Sequence, residues 1–260
     1  MTPASRPIRI AAHLQLQHAD YDSIRRAAQE AENIGVDIVF NYDHFFPLDG
    51  DPDGKVFECW TVLGAWAEST SRVEIGALVS CNAYRNPDLL ADMARTVDHI
   101  SGGRLILGLG SGWYEKDYTV YGYDFGTIKS RMDLFEDNLV RIENRLTRLV
   151  PSPVRPIPIL IGGMGVKRTL PIVAKHADIW HTFASVAEYR RKNAMLKDLA
   201  AEAGRDETRI ERAVHWTGRE NADAFLTEGV TLFTTEIHPT DDGYDFGELK
   251  DMLDWRDQQR

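Results

Sequence analysis

The sequence predicts an α/β fold, a single-domain (β/α)8 TIM barrel, on three observations. The chain has 260 residues, an ordinary length for one such barrel. Short, β-rich apolar runs alternate along it with longer amphipathic stretches. Eight such pairs can be traced, and alternation at this spacing argues for parallel βαβ units closed into a ring. Residues 1–260 read as one domain, with no linker, low-complexity segment or short repeat. An open doubly wound sheet is the competitor. It would carry a Gly-rich turn directly after the first strand, where this chain has His18-Ala19-Asp20.

The first strand is predicted over Ile8–Gln17, followed by an amphipathic helix from Asp20 to Ile34 that stops at Gly35, a typical helix end. The second strand is Val36–Asn41, and a helix follows from Phe57 to Ser69. The third strand is Val73–Asn82. Asn86 then caps a helix with Pro87 in its first turn, and that helix reaches Ile100 before Gly102-Gly103 closes it. The fourth strand is Arg104–Gly110, with a loop rich in Gly and Tyr behind it and a long helix over Ser130–Leu149. Four prolines from Pro151 to Pro158 lead into the fifth strand, Ile159–Ile161, and a helix runs from the Gly162-Gly163 turn to His176. The sixth strand is Asp178–Phe183 and its helix Ala187–Ala203. The seventh is Ile210–Trp216 with a short helix over Ala222–Glu228. The eighth is Val230–Thr235 with a last helix over Phe246–Gln258.

Composition narrows the function. A net charge of −10 disfavours nucleic acid and anionic lipid as partners, and leaves a small molecule. Cys59 and Cys81 make no disulfide framework, so a cytoplasmic setting is expected. Met1 to Pro7 holds no apolar core of a secretory signal, and no run is long enough for a membrane span.

In a barrel of this kind the chemistry sits on the loops after the strands. After the second strand comes Asn41-Tyr42-Asp43-His44, where Asp43 and His44 place a titrating pair at the mouth, suited to proton transfer. The bland alternative is a packed loop histidine. After the fourth strand, Gly108-Leu109-Gly110-Ser111-Gly112 would let a flat ring approach the backbone at Gly110, Ser111 and Gly112, or would simply make a tight turn. After the fifth, Gly162-Gly163-Met164-Gly165 is a strand-to-helix turn with Lys167 and Arg168 in the first helical turn. Free N–H groups and the helix dipole favour a phosphate there, and two cations at a helix N-terminus suggest that an anion offsets them. A plain Gly-rich turn with solvated cations is the alternative.

Other motifs fail. Asp49 to Gly54 imitates a calcium loop, but its twelfth position is Trp60. His13-Leu14-Gln15 has one histidine where a metal pair needs two, and no His-Glu-x-x-His or nucleophile elbow occurs, so no metal is expected. Trp60, Trp66, Met93 and Met132 read as core. Tyr114, Tyr118, Tyr121 and Tyr123 either line an aromatic pocket or simply pack.

Several stretches resemble the luciferase-like monooxygenase superfamily: Asn41–Gly54, Ala65–Gly76, Tyr84-Arg85-Asn86-Pro87, and Ile100-Ser101-Gly102-Gly103-Arg104 with the Gly-rich strand after it. More narrowly, the chain looks like the branch that uses the deazaflavin coenzyme F420. The resemblance implies a tricyclic ring in the barrel mouth and a non-prolyl cis peptide near Leu78-Val79-Ser80, pressing a bulge against that ring. It places the cofactor phosphate near Gly162–Gly165. It gives Asp43 and His44 the roles of contacting the ring and moving a proton beside a hydride step, with Asp43 orienting His44 or bonding the ring. Sugar-phosphate dehydrogenases of that branch carry a catalytic Glu where this chain has Ser111, so that acid and that substrate are not expected. The resemblance also allows a homodimer. The alternatives are FMN as the cofactor with or without oxygen chemistry, a non-catalytic flavin-binding protein, and a hydrolase or aldolase without redox cofactor. The last lacks the strand-end Lys or metal set it would need.

Overall fold

The computed structural model describes residues 6–259. The barrel staves are β1 (Arg9–Leu14), β2 (Ile38–Asn41), β3 (Glu74–Ala77) continued by β4 (Ser80–Cys81), β5 (Leu105–Gly110), β6 (Ile159–Gly162), β7 (Ile179–Thr182), β8 (Glu211–His215) and β9 (Val230–Ile237). They pair in the order β3-β2-β1-β9-β8-β7-β6-β5-β4, always in parallel, and a β3–β5 pairing closes the ring. The expected (β/α)8 barrel is therefore present.

The helices are α1 (Tyr21–Ile34), α2 (Cys59–Ser69), α3 (Pro87–Ile100), α4 (Glu115–Tyr121), α5 (Ile128–Leu146), α6 (Thr169–His176), α7 (Val186–Glu202), α8 (Arg219–Thr227) and α9 (Gly247–Gln258). Local chemistry sets their ends. Gly35 ends α1 in the left-handed region at φ 105°, which a side chain would resist. The Asn86 side chain accepts from the N–H groups of Asp88 and Leu89 to start α3, with Pro87 in its first turn.

Period-two alternation splits the core into two shells. Ala11, Ile38, Phe40, Ile106, Leu160, Ile179, Ala213 and Leu232 fill the lumen. The residues between them pack outward under the helices with Trp66, Phe135, Trp180 and Trp255. Trp60, Trp66 and Met132 are buried as expected, and Met93 packs against the same shell. Arg9, Glu74, Glu211 and Arg155 interlock in ion pairs across the N-terminal end of the barrel and plug it. A hollow of about 980 Å3 opens at that end, between Arg6, Lys197, Glu207 and Arg212. It lies away from the strand C-terminal ends and does not belong to the mouth.

Three elements depart from the sequence reading. The third strand is broken after Ala77 by a cis peptide between Leu78 and Val79, the place the resemblance implies. The loop after β5 contains α4, whose seven residues are too few to show a helical period. A two-residue hairpin, β10 (Pro239–Thr240) with β11 (Gly243–Tyr244), follows β9.

Candidate active site at the barrel mouth

The break in β3 shapes the mouth. Val79 turns into the lumen, and the glycines facing it make room. A Cβ on Gly110 would lie 2.6 Å from Val79 Cγ2, and one on Gly162 3.3 Å from Val79 Cγ1. One on Gly108 would sit 1.9 Å from the Ala77 carbonyl oxygen. These glycines therefore accommodate the bulge of the chain itself. Gly112 is held by the fold in the same way. At φ 78°, its Cβ would fall 1.9 Å from the Tyr118 hydroxyl and 2.7 Å from Cys81 Sγ. Ser111 contributes its carbonyl, which accepts from Tyr118 Oη at 3.3 Å, and its side chain replaces no acid.

The bulge leaves a usable polar group. Leu78 N–H is taken by the Asn41 carbonyl at 2.7 Å, but the Val79 N–H has no partner among the described residues. The Ser80 hydroxyl points the other way, accepting from Trp60 Nε1 at 2.9 Å in a fully buried contact. Of the Leu78, Val79 and Ser80 triplet, Val79 alone offers such a backbone donor at the partly exposed surface.

His44 and Asp43, just past the end of β2, take different partners. Asp43 is buried behind the mouth. It takes a bidentate contact from Arg85, at 2.6 and 3.0 Å, and the Cys81 N–H at 3.1 Å. Burial pushes its carboxyl up from the usual range, and the Arg85 guanidinium pulls it back. Arg85 also reaches Glu58, which caps α2 through the Trp60 and Thr61 N–H groups. Asp43 thus braces β4 and α2, and His44 is not among its hydrogen-bond partners.

The partner of His44 is Asp117, on α4. Asp117 Oδ2 lies 2.7 Å from His44 Nδ1 and accepts from Tyr84 Oη at 2.9 Å, while Oδ1 accepts from the Phe45 N–H at 3.0 Å. The carboxylate is fully buried and His44 is only 13% exposed in its side chain. With Nδ1 donating to Asp117, the tautomer is set and Nε2 is left without a partner among the described residues. Tyr42, Trp113 and Tyr114 surround the ring at centroid distances of 5.5 to 5.6 Å. The tyrosines of this region mostly support the loop. Tyr84 and Tyr123 stack on each other and on Phe45, and Tyr118 bonds Cys81 Sγ at 3.1 Å. Tyr121 and Trp113 remain exposed at the rim.

The Gly162–Gly165 turn is anchored at both ends. Gly163 N–H donates to the His181 carbonyl at 2.9 Å, and Lys192 Nζ donates to the Met164 carbonyl at 3.0 Å. Gly163 has φ 111°, which requires glycine. The N–H groups of Met164, Gly165, Val166 and Lys167 have no partner among the described residues, the arrangement an anion needs. α6 begins only at Thr169, so Lys167 and Arg168 precede its first turn, and Arg168 is engaged elsewhere. It pairs with Asp133 and Glu136 on α5, which offsets its charge and removes one argument for phosphate. No group of three potential metal ligands occurs among the described residues. Cys59 and Cys81 are free and buried.

The lumen-facing bulge on β3 and the strand-end histidine on β2 fall inside a segment, residues 5–218, that matches the family model described as luciferase-like monooxygenase. The chain belongs to the luciferase-like monooxygenase family. Among its relatives in this family is the F420-dependent glucose-6-phosphate dehydrogenase of Amycolatopsis mediterranei, 30% identical over 167 residues, which are 58% of this chain and 48% of that one. The chain spans less than two thirds of the length of the first curated relatives it matches. A solved F420-dependent secondary alcohol dehydrogenase, in complex with an F420-acetone adduct, superposes with a TM-score of 0.84 at 18% identity, covering 96% of this chain and 99% of that one. The oxygenating constituent of 3,6-diketocamphane monooxygenase from Pseudomonas putida, in complex with FMN, superposes with a TM-score of 0.65 at 16% identity over 85% and 72% of the two chains. These two structural likenesses concern the fold. No helix among the described residues is long and apolar enough to cross a membrane.

Proposed function

We propose that this protein is an F420-dependent oxidoreductase acting on a small organic substrate at the barrel mouth. The observation that carries the reading is His44, half-buried against an aromatic wall with Nδ1 fixed by Asp117 and Nε2 free. The residues present fit a phosphorylated tricyclic cofactor. Val79 N–H is an unpaired donor on the bulge, and Met164, Gly165, Val166 and Lys167 supply unpaired N–H groups one strand beyond β5. When bound, a deazaflavin would supply a hydride acceptor or donor at its central ring carbon.

The chain's own residues do the rest. Asp117 holds the proton on His44 Nδ1, so that Nε2 is a bare acceptor. Nε2 takes the proton that a substrate hydroxyl loses as its carbon is oxidised, and returns it in the reverse direction. Asp117 stabilises the imidazolium that forms, as a buried carboxylate does beside a catalytic histidine. Trp113 and Tyr114 keep water from the ring on two sides. Asp43 and Arg85 hold β4 and thereby the bulge. The F420-dependent relatives support this cofactor over FMN.

The experiment is single turnover. Protein loaded with oxidised F420 is mixed with a panel of secondary alcohols without oxygen, and the deazaflavin absorbance is followed. Reduction by wild type and loss of reduction in His44→Ala, with F420 affinity retained, is the expected result. Equal reduction by His44→Ala would remove its role.

A further inference from the structure

The mouth carries a second polar group that the proton-transfer role of His44 does not use. The lumen is apolar at Ala11, Ile179 and Ala213. Two residues further on, alternation turns His13 of β1, His181 of β7 and His215 of β8 to the same side. These are neighbouring staves, with only β9 between β1 and β8. His13 Nε2 is buried with no hydrogen-bond partner, and neither ring nitrogen of the half-buried His215 has one among the described residues. His181 Nε2 meets Thr234 Oγ1 at 2.9 Å. Phe183 covers the pair, its ring centroid 5.0 Å from His181 and 5.3 Å from His215, and is itself 60% exposed. On the other side, Tyr42 bridges His13 and His44 at 6.1 and 5.6 Å. Buried polar atoms without partners are uncommon in a native fold and call for an explanation.

We propose that His215, with Phe183 beside it and His13 and His181 behind it, binds the substrate, and that the site takes an uncharged alicyclic or aromatic alcohol or ketone. This deepens the oxidoreductase reading and rests on it for there being a substrate. Charge decides the class. Burial drives the His13 and His181 pKa values down to about 3 and lowers that of His215, so all three are uncharged at neutral pH. Glu236 lies 3.9 Å from His13 Nδ1, and Glu236 and Glu248 both act on His215. The cations near the His44 loop are engaged elsewhere: Arg85 by Asp43 and Glu58, Arg131 by the Gly112 and Phe125 carbonyls, Lys116 by the Pro52 carbonyl. An anion brought here would lose its hydration, gain no counter-charge and face two carboxylates. An uncharged ring would cover Phe183 and give its oxygen to His215, while His44 handles the proton.

The test uses the full chain with 15N-labelled histidine, titrated with cyclohexanone and with 4-oxocyclohexanecarboxylate, both with and without F420. Saturable shifts of the His215 nitrogens with cyclohexanone are expected, with the carboxylated probe at least about tenfold weaker. His215→Leu, which removes the donor, should weaken cyclohexanone about five- to tenfold, the worth of one hydrogen bond. Glu236→Gln should narrow the gap between the two probes. Cyclohexanone that leaves His215 unmoved, or binds His215→Leu as wild type, overturns the site. A carboxylated probe that binds as well as cyclohexanone, or a gap unchanged in Glu236→Gln, overturns the charge argument. F420 is titrated separately by fluorescence. If wild type fails to bind it, the oxidoreductase reading falls, while the probe shifts still decide this one.

Discussion

Asp117→Asn is the perturbation that separates this site from a packed loop histidine. The Asp117 carboxylate is fully buried and accepts three hydrogen bonds, from His44 Nδ1, Tyr84 Oη and the Phe45 N–H. Asparagine keeps the shape but offers one oxygen and one NH2. Whichever way it sits, an NH2 faces a donor. If it faces Phe45, one buried N–H loses its acceptor. If it faces His44 and Tyr84, the histidine must change tautomer and present its proton at Nε2. A buried donor left unpaired costs about 1–3 kcal/mol. In a chain of this size each kcal/mol lowers the melting temperature by about 2–4 °C, so a central cost of ~2 kcal/mol predicts a fall of about 4–8 °C. Turnover should fall further than stability does, by about tenfold to a hundredfold, because general acid–base catalysis contributes about 10²–10⁴ and only its positioning part is lost. F420 affinity should hold. Calorimetry and single-turnover absorbance on the same preparation read both quantities. A variant that melts within about 1 °C of wild type and turns over within about twofold would refute the assignment of Asp117 to His44.

Other outcomes follow from the same geometry. Gly110→Ala should destabilise the protein by about 1–3 kcal/mol, because its Cβ would lie 2.6 Å from Val79 Cγ2, and thermal melting checks it. Met164→Pro removes one free N–H of the Gly162–Gly165 turn and should weaken F420 about tenfold, while a phosphate-free deazaflavin binds as before. Arg168→Ala should leave F420 affinity within about twofold, since that guanidinium serves Asp133 and Glu136. His13 and His181 titrate near 3 in the fold and near 6.5 unfolded, so their neutral forms favour the native state above pH 6.5. That stability drains as pH falls from 6.5 towards 3, by up to about 1.4 kcal/mol per pH unit for each. Urea melts between pH 6.5 and 5 should show the slope, and His13→Gln should flatten it.

The fold was legible because each layer repeats its signal. Eight β-rich runs stand out, and Gly35 and Asn86 mark helix ends by conformational and capping needs that sequence displays. His44 stood out because a strand end in a barrel is where chemistry is expected. Its partner could not. Asp117 lies 73 residues away on a seven-residue helix, and only the closed barrel brings it within 2.7 Å. Asp43 and His44 are adjacent in sequence, yet past the end of β2 they take different partners, Arg85 and Asp117, which adjacency alone does not reveal. The glycines of the Gly108–Gly112 run also meet parts of the chain that sequence does not place beside them: Ala77 at Gly108, Val79 at Gly110 and Tyr118 at Gly112. His13, His181 and His215 sit on three separate staves, and nothing local in the sequence says that they meet.

The most direct measurement is a fluorescence titration of the purified protein with F420 and with FMN, each oxidised and reduced. Saturable, tight binding of F420 with FMN much weaker is expected, with the F420 affinity unchanged in His44→Ala. Preferential binding of FMN would contradict the deazaflavin assignment and return oxygen chemistry to the site, and binding of neither would contradict the redox reading of the barrel mouth altogether.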